Sequence, residues 1–282
     1  MKGVKVLRVL IGCNEMNGES VELARDICRM LEESGVTPCV WDNESDIPAR
    51  EVGSPAECTH IVTIGGDGTI LKWGKTAAEY DIPLLGVNMG RLGFMATLER
   101  SEIGEIPRLL AEGNISRRML MDCAVVRADG SRHVKPVLND VVIARESGSK
   151  LPEFRIFCGG AEVSRLRADG VIMSTPTGST AYSLSAGGPI LSPELECIEF
   201  TALCPHTLFN RPMIFPAGHE VAVSVRGYQG SRVSVDIDGE SDLSFGEGDE
   251  IRLTRSAKTL RLIEAGGGFY GSVHSKLMQP LK

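Results

Sequence analysis

Ile61-Val62-Thr63-Ile64-Gly65-Gly66-Asp67-Gly68-Thr69 decides how the first part of the chain is read. β-Prone residues run into three glycines with one aspartate among them, and Ile70-Leu71-Lys72-Trp73 resumes at helical spacing. This pattern predicts a buried strand, a tight turn and a helix start. Glycine permits positive φ and lets a ligand come close to the main chain. A helix N-terminus behind such a turn points N–H donors at anions such as phosphate. The charge of Asp67 opposes plain phosphate binding. It fits a group that holds a metal together with phosphates, or one that takes a proton from an attacking hydroxyl. An ordinary βα turn with a surface aspartate is the plain alternative.

Outward from this stretch, the same alternation recurs. Residues 5–11 are expected as a first strand ending at Gly12, and Ser20 as the cap of a helix with Val21, Ala24, Ile27, Cys28 and Leu31 on one face. Gly35 closes that helix, residues 38–41 form a second strand, and residues 42–58 read as a polar surface loop. Residues 83–88 are a further strand and residues 101–110 a short helix closed by Gly113. Strands alternating with helices indicate an α/β domain with a parallel sheet. Near Arg117 the pattern changes. Residues 119–127, 134–145, 153–158, 171–174, 199–204, 220–225, 232–237 and 250–255 all read as strands separated by short glycine- and proline-bearing turns. That is an all-β, sandwich-like or barrel-like domain. The expected division is therefore residues 1–116 and 117–268, with residues 269–282 returning to the first domain and a helix over 270–278.

The chain has 282 residues, 42% of them hydrophobic and 24% charged, as in soluble globular proteins with room for a sizeable core. A net charge of -7 argues against nucleic-acid and anionic-membrane partners. Any anionic ligand then needs locally placed N–H groups and arginines. The eight cysteines show no C-x-x-C spacing, and neither they nor the five histidines cluster at metal-ligand spacing. No protein-held metal is expected. Reduced cysteines, with no secretion signal or membrane-length apolar run, point to the cytoplasm.

Three further stretches carry chemistry. Gly86-Val87-Asn88-Met89-Gly90-Arg91-Leu92-Gly93-Phe94 is a second glycine turn after a strand, and Asn88 and Asp67 are expected to open into one crevice at the carboxyl ends of the strands. Phe94 could equally be core. Asn139-Asp140 places adjacent polar residues inside a β segment, so one faces the interior unless the strand bulges. A carboxylate beside an amide can grip ribose hydroxyls or a base edge. Residues 167–189, with Arg167, Asp169 and the run Thr175-Pro176-Thr177-Gly178-Ser179-Thr180-Ala181-Tyr182-Ser183-Leu184-Ser185, carry a strand into a hydroxyl-rich helix start suited to sugar or phosphate. The plain alternative is a capped helix with Tyr182 in the core. Neither Ser179 nor Ser183 stands in a G-x-S-x-G elbow, which disfavours a nucleophilic serine.

In this order the Gly65–Thr69 turn, Gly86-Val87-Asn88 with Leu92-Gly93-Phe94, Asn139-Asp140, and the Thr175 block with Gly187-Gly188-Pro189 resemble the NAD kinases. The resemblance spans residues 60–277, and the Thr175 block is its most specific part. It implies transfer of a phosphoryl group from ATP, or inorganic polyphosphate, to the adenosine-ribose 2′-hydroxyl of NAD. It implies Asp67 as general base, organising magnesium and the donor phosphates, with Gly66, Gly68 and Thr69 shaping the donor loop. Phe94 would lie near the adenine and Asn139 and Asp140 on the adenosine. Asp169 would reach the nicotinamide end, with Arg167 nearby. Thr180, Ala181, Tyr182, Ser183 and Ser185 would line the dinucleotide pocket, partly from a neighbouring subunit of a cytoplasmic homodimer or homotetramer. Two positions depart from the family pattern: Asp140 stands where glutamate is frequent, and Glu240 where glutamine is frequent. Lys150 lies in a poorly matching loop. A lipid kinase of the diacylglycerol or sphingosine type shares the glycine–aspartate turn, and a non-catalytic NADP-binding sensor would share the fold. The hydroxyl-rich Thr175 block disfavours the first and an intact Asp67 the second.

Overall fold

The computed structural model describes residues 7–14, 17–41, 51–90, 93–207, 210–226, 232–246, 248–266 and 268–277. Lys5 and Val6 of the expected first strand, residues 42–50, Arg91 and Leu92 of the second glycine turn, and Met278 lie outside them. The chain divides into one unit of Met1–Arg117 with Lys258–Lys282 and another of Arg118–Ala257.

In the first unit, β1 (Arg8–Cys13), β2 (Thr37–Val40), β3 (Glu51–Val52), β4 (His60–Gly65) and β5 (Leu84–Asn88) are all parallel, in the order β3-β2-β1-β4-β5. The short β6 (Leu98–Glu99) adds to β5. The strand order reverses between β1 and β4, and in open α/β sheets ligands bind beside the carboxyl ends of the strands at such a reversal. Helix α1 (Gly18–Glu33) buries Val21, Ala24, Ile27, Cys28 and Leu31, as its 3.6-residue period requires. They share one core with Val9, Ile11, Val62, Ile64 and Val87 of the strands and with Ile106 and Leu109 of α3 (Ile106–Glu112). The cap of α1 is Asn17, not Ser20: the Asn17 side chain accepts the N–H groups of Glu19 and Ser20 at 3.0 and 3.3 Å. Ser20 is buried inside the first turn, two residues past the helix start. Helix α2 (Asp67–Glu79) follows β4 directly. The described part of the loop expected over residues 42–58 contains β3 and a 3-10 turn at Pro55–Glu57, capped by Ser54.

The second unit is built from β7 (Asn114–Val126), β8 (Arg132–Val137), β9 (Asp140–Arg145), β10 (Glu153–Cys158), β11 (Ala161–Arg167), β12 (Gly170–Ser174), the short α4 (Tyr182–Ser185), β13 (Cys197–Leu203), β14 (Met213–Pro216), β15 (Val221–Arg226), β16 (Val233–Ile237), β17 (Glu240–Phe245) and β18 (Glu250–Glu264). One antiparallel sheet runs β14-β13-β12-β9-β16-β17. A second runs β11-β10-β15-β18, and β7 hairpins with β8. Val141, Ile143, Val171 and Met173 of the first sheet share a single core with Phe154, Ile156, Val223 and Ile251 of the second. This is the expected sandwich.

The strand expectations need correction. The single strand over residues 134–145 breaks at Leu138–Asn139 into β8 and β9. Strands β11, β14 and β17 were not legible. Strand β11 is largely exposed and charged, β14 is a four-residue edge ending at Pro216, and β17 is the polar return of a two-residue Asp238-Gly239 hairpin. Strand β18 runs to Glu264, not to Arg255: the inward alternation at Ile251 and Leu253 loses phase at Ser256 and resumes at Leu260 and Leu262, so the stretch from Ser256 to Thr259 hides the second half of the strand. Its start pairs with β15 in the second unit, and Leu262 pairs with Leu84 of β5 in the first. The chain then forms α5 (Gly268–Leu277) in the first unit. Among the described residues no helix is long and apolar enough to cross a membrane.

Among the described residues Phe154 is the largest fully buried side chain, and it joins the core of the second unit from β10. Phe154→Ala should cost about 3–5 kcal/mol through lost transfer energy plus a residual cavity. Urea unfolding should show this as a lower midpoint for the transition that includes this unit.

Candidate active site

In the first unit, Asp67 is the first residue of α2, just past the carboxyl end of β4. A carboxylate there is favoured by the helix dipole. Its Oδ2 accepts the Phe94 N–H at 3.1 Å and its Oδ1 the Met95 N–H at 3.4 Å. The second glycine turn is thus tied to the first through one side chain. Gly93 must lack a Cβ for this to occur, since a methyl there would overlap the Asp67 carboxyl group. Gly66 is the helix N-cap and accepts the Thr69 N–H at 3.0 Å. Gly68 lies in the first turn with open space where a side chain would stand.

Asn88 behaves otherwise than expected. It is buried, donates from Nδ2 to the Gly90 carbonyl at 2.6 Å and accepts the Gly90 N–H at 3.3 Å. A buried amide needs partners, and this one finds them in its own turn instead of opening into the crevice. Phe94 presents its ring to Lys276 of α5, whose Nζ lies 4.4 Å from the ring centroid. Burial pushes the Lys276 ammonium down from its ordinary value, and the Asp67 charge opposes that shift.

In the second unit, the break before β9 is organised by Asp238. Its Oδ2 accepts the Leu138 N–H at 3.0 Å, and its Oδ1 those of Asn139 and Asp140 at 2.7 and 3.2 Å. Asp238 has φ 51°, which its place in a tight hairpin requires. The opposite side of the break is closed by the Thr175 block. The Asn139 carbonyl accepts the Thr175 N–H at 2.8 Å, and the Leu138 carbonyl accepts the Thr175 hydroxyl at 2.6 Å. Gly178 packs so closely on the Asn139 backbone that no Cβ fits between them. Asn139 is buried, and its Oδ1 has no hydrogen-bond partner among the described residues.

Asp140 is buried beside this junction, with its carboxyl pKa raised to about 7. Burial is the main cause, followed by repulsion from Asp238; the Tyr182 backbone N–H offsets part of it, and Glu199 adds a smaller repulsion. Glu199 is itself fully buried on β13. Its Oε1 accepts the Ser183 hydroxyl at 2.6 Å and the Thr201 hydroxyl at 3.0 Å, while Oε2 lacks a partner among the described residues. Burial raises its pKa, and the two hydroxyls pull the other way.

Asn139, Asp140 and the segment from Thr175 to Tyr182 therefore come together. Within that segment Thr180 bonds to the Thr177 carbonyl at 3.1 Å, and Ala181 links the 3-10 turn to α4. Tyr182 is 48% exposed, so it is not the core residue of the plain alternative. Ser183 is buried against Glu199, while Ser185 is exposed. Asp169 lies elsewhere. It pairs with Arg145 at 2.6 Å, at the far end of β9 from Asp140, about 17 Å away at the ordinary strand rise of ~3.4 Å per residue. Its ion-pair partner is Arg145, while the Arg167 main-chain carbonyl at the end of β11 accepts the His206 N–H at 2.7 Å. Glu240 begins β17 and is exposed, as is Lys150.

Sequence reasoning missed Asp238, Glu199, Arg145 and Lys276. Asp238-Gly239 is a hairpin signal that could have been read. Glu199 stands inside a wholly buried run, Cys197 to Ala202. No local pattern marks Lys276.

The chain matches two family models, the ATP-NAD kinase N-terminal domain over residues 48–115 and the ATP-NAD kinase C-terminal domain over residues 138–265. It is 35% identical to an NAD kinase of Citrifermentans bemidjiense over 90% of this chain and 92% of that one. It is 36% identical to an NAD kinase of Aquifex aeolicus over 92% and 94%. Among solved structures, yeast NADH kinase complexed with NADH superposes with a TM-score of 0.86 at 25% identity, covering 98% of this chain and 89% of that one. An NAD kinase from Archaeoglobus fulgidus in complex with ATP shares the fold, with a TM-score of 0.75 at 23% identity, over 95% and 99%.

Asp238→Ala should free three N–H groups at the head of β9 and destabilise the protein by about 2–4 kcal/mol, since a hydrogen bond to a charged group contributes ~1.5–3 kcal/mol and water can replace part of the loss. Removing the Asp238 charge with Asn should also lower the Asp140 pKa, observable by NMR titration of the Asp140 carboxyl carbon. An unmoved titration would show that the two carboxylates do not interact.

Proposed function

The chain belongs to the NAD kinase family, and we propose that it transfers the terminal phosphoryl group of ATP to the adenosine-ribose 2′-hydroxyl of NAD, giving NADP. The observation that carries this reading is the Asp67 carboxylate, fixed by two N–H bonds beside the reversal point of the parallel sheet. Asp67 accepts the 2′-hydroxyl proton as that oxygen attacks the terminal phosphorus, and the bond to the bridging oxygen of ADP breaks. A ribose hydroxyl is a poor nucleophile, so a placed base contributes about 10²–10⁴-fold. Gly66, Gly68 and Thr69 shape the donor turn, where the N-terminus of α2 offers N–H groups to phosphate. In our reading the first unit takes the donor, ATP or inorganic polyphosphate, and the second takes the dinucleotide.

A divalent cation such as magnesium fits the donor turn on one observation. After accepting its two N–H bonds, each Asp67 oxygen keeps a lone pair for a hard cation whose other ligands are phosphate oxygens and water. Bound there with the donor, the cation would neutralise charge on the phosphates. Asn139 and Asp140 hold the adenosine, with Thr180, Ala181, Tyr182 and Ser185 alongside and Phe94 near the adenine. Ser183 anchors that segment through Glu199. Asp169 and Arg167 serve the nicotinamide end. In this reading, as the family resemblance implies, the dinucleotide pocket is completed by a second copy of the chain, in a cytoplasmic homodimer or homotetramer.

Asp67→Asn should leave folding and the KM for NAD largely unchanged and abolish kcat, read as NADP formed from ATP, magnesium and NAD. Near-normal kcat would remove Asp67 from the reaction.

The Asp140 pKa of about 7 supplies a test of the acceptor site. A raised folded pKa means that the protonated form is favoured in the fold. Its contribution to stability is full below the unfolded carboxylate pKa and is lost as pH rises through about 7. Binding runs the other way if the ionised carboxylate accepts ribose hydroxyls. The KM for NAD should then rise roughly tenfold between pH 8 and pH 6, and Asp140→Asn should flatten that profile at a uniformly weaker KM. A parent-like pH profile in the variant would refute the contact.

A further inference from the structure

Lys276 is not accounted for by the chemistry above. Helix α5 brings its Nζ over the Phe94 ring, 4.4 Å from the centroid. The amine is buried and has no hydrogen-bond partner among the described residues. An ammonium carries three donors, and removing it from water without partners is costly. A cation–π contact recovers only part of that cost and leaves the N–H donors unused. As the last-turn cation of α5, Lys276 could instead have bonded the helix's free carbonyls; it does not. Among the described residues the opposing charge that acts on it is that of Asp67, whose oxygens already accept the Phe94 and Met95 N–H groups and, in the reading above, keep their remaining lone pairs for the donor's cation. The ammonium is therefore held desolvated, beside the catalytic carboxylate, with its donors open. An anion at the β4–α2 turn would supply the missing partner, and its phosphate oxygens would also balance the net charge.

We propose that Lys276 contacts the terminal phosphates of the phosphoryl donor, neutralising charge there from α5 as the N–H groups of α2 do from the turn. This rests on the reading that the donor binds at the turn from Gly65 to Thr69. It assigns to the C-terminal helix a part in donor binding that its position in the sequence does not suggest. The role asks only for positive charge at that point, so arginine should substitute and an apolar side chain of the same length should not.

The test uses the full chain with Lys276→Met, which keeps the packing on Phe94, and Lys276→Arg, which keeps the charge. NADP formation is measured with ATP and, separately, with inorganic polyphosphate as donor, alongside thermal melting. Lys276→Met should lower kcat/KM for each usable donor about tenfold or more, the effect of one lost charge-assisted contact. The KM for NAD and the melting temperature should stay near the parent values, and Lys276→Arg should restore most of the donor term. A loss with ATP but not with polyphosphate would place the contact on the nucleotide instead of the terminal phosphates and overturn the proposal. So would a parent-like donor kcat/KM in Lys276→Met, or an equal penalty on both substrates with lowered melting that arginine does not rescue. Gly68→Val separates this from the underlying reading, because its side chain enters the open space at the donor turn. A raised ATP KM in Gly68→Val with an unaffected Lys276→Met would reject Lys276 alone. An unaffected ATP KM in both would reject the donor turn itself.

Discussion

Three successive backbone N–H groups, at Leu138, Asn139 and Asp140, converge on the single carboxylate of Asp238. Without that acceptor the break between β8 and β9 would leave donors unsatisfied at the end of a sheet, which folded proteins avoid. With it, the chain can stop pairing for two residues and restart as β9 with Asn139 and Asp140 at the junction. The Thr175 block closes the other side through the same backbone, which requires the bare Gly178. The first unit uses a similar device. Asp67 takes the N–H groups of Phe94 and Met95, and a bare Gly93 lets it approach. In both units a carboxylate holds a turn that would otherwise have no regular hydrogen bonding.

These arrangements have an electrostatic consequence. Asp140 is buried among Asp238 and Glu199, and burial together with like charge moves its titration to about pH 7. A core built for stability alone would not collect carboxylates in this way. Such perturbed groups concentrate at functional sites, and here the cluster coincides with the residues that the family resemblance assigns to the nucleoside. Glu199 differs from Asp140 in role. Its hydroxyl partners, Ser183 and Thr201, fix α4 against β13, so it orients the segment whose Tyr182 is left open to solvent.

Much of the architecture was legible from local pattern. The glycine turn after residues 61–64 announced a βα unit, and the change of period near Arg117 announced a β-rich region, because strand and helix periodicity are properties of neighbouring residues. The order of the glycine turns, the asparagine–aspartate pair and the Thr175 block was enough to identify the family. Local pattern failed where pairing was long-range or weakly amphipathic, at the exposed β11, the short β14, the polar β17 and the second half of β18.

What the sequence by itself determined is which residues could do chemistry and in what order they occur. What only the tertiary structure decided is what each polar side chain is bonded to. Asn88 was available to a ligand by its position but is held by Gly90. Asp169 took Arg145 as its ion-pair partner. Asp238 reaches N–H groups 98 to 100 residues away, and Lys276 reaches back from the last helix to Phe94. The reason is physical. A hydrogen bond or ion pair forms between groups a few ångströms apart in space, and the fold sets that separation through sheet register and packing, whereas spacing along the chain fixes it only for residues within a turn of one another.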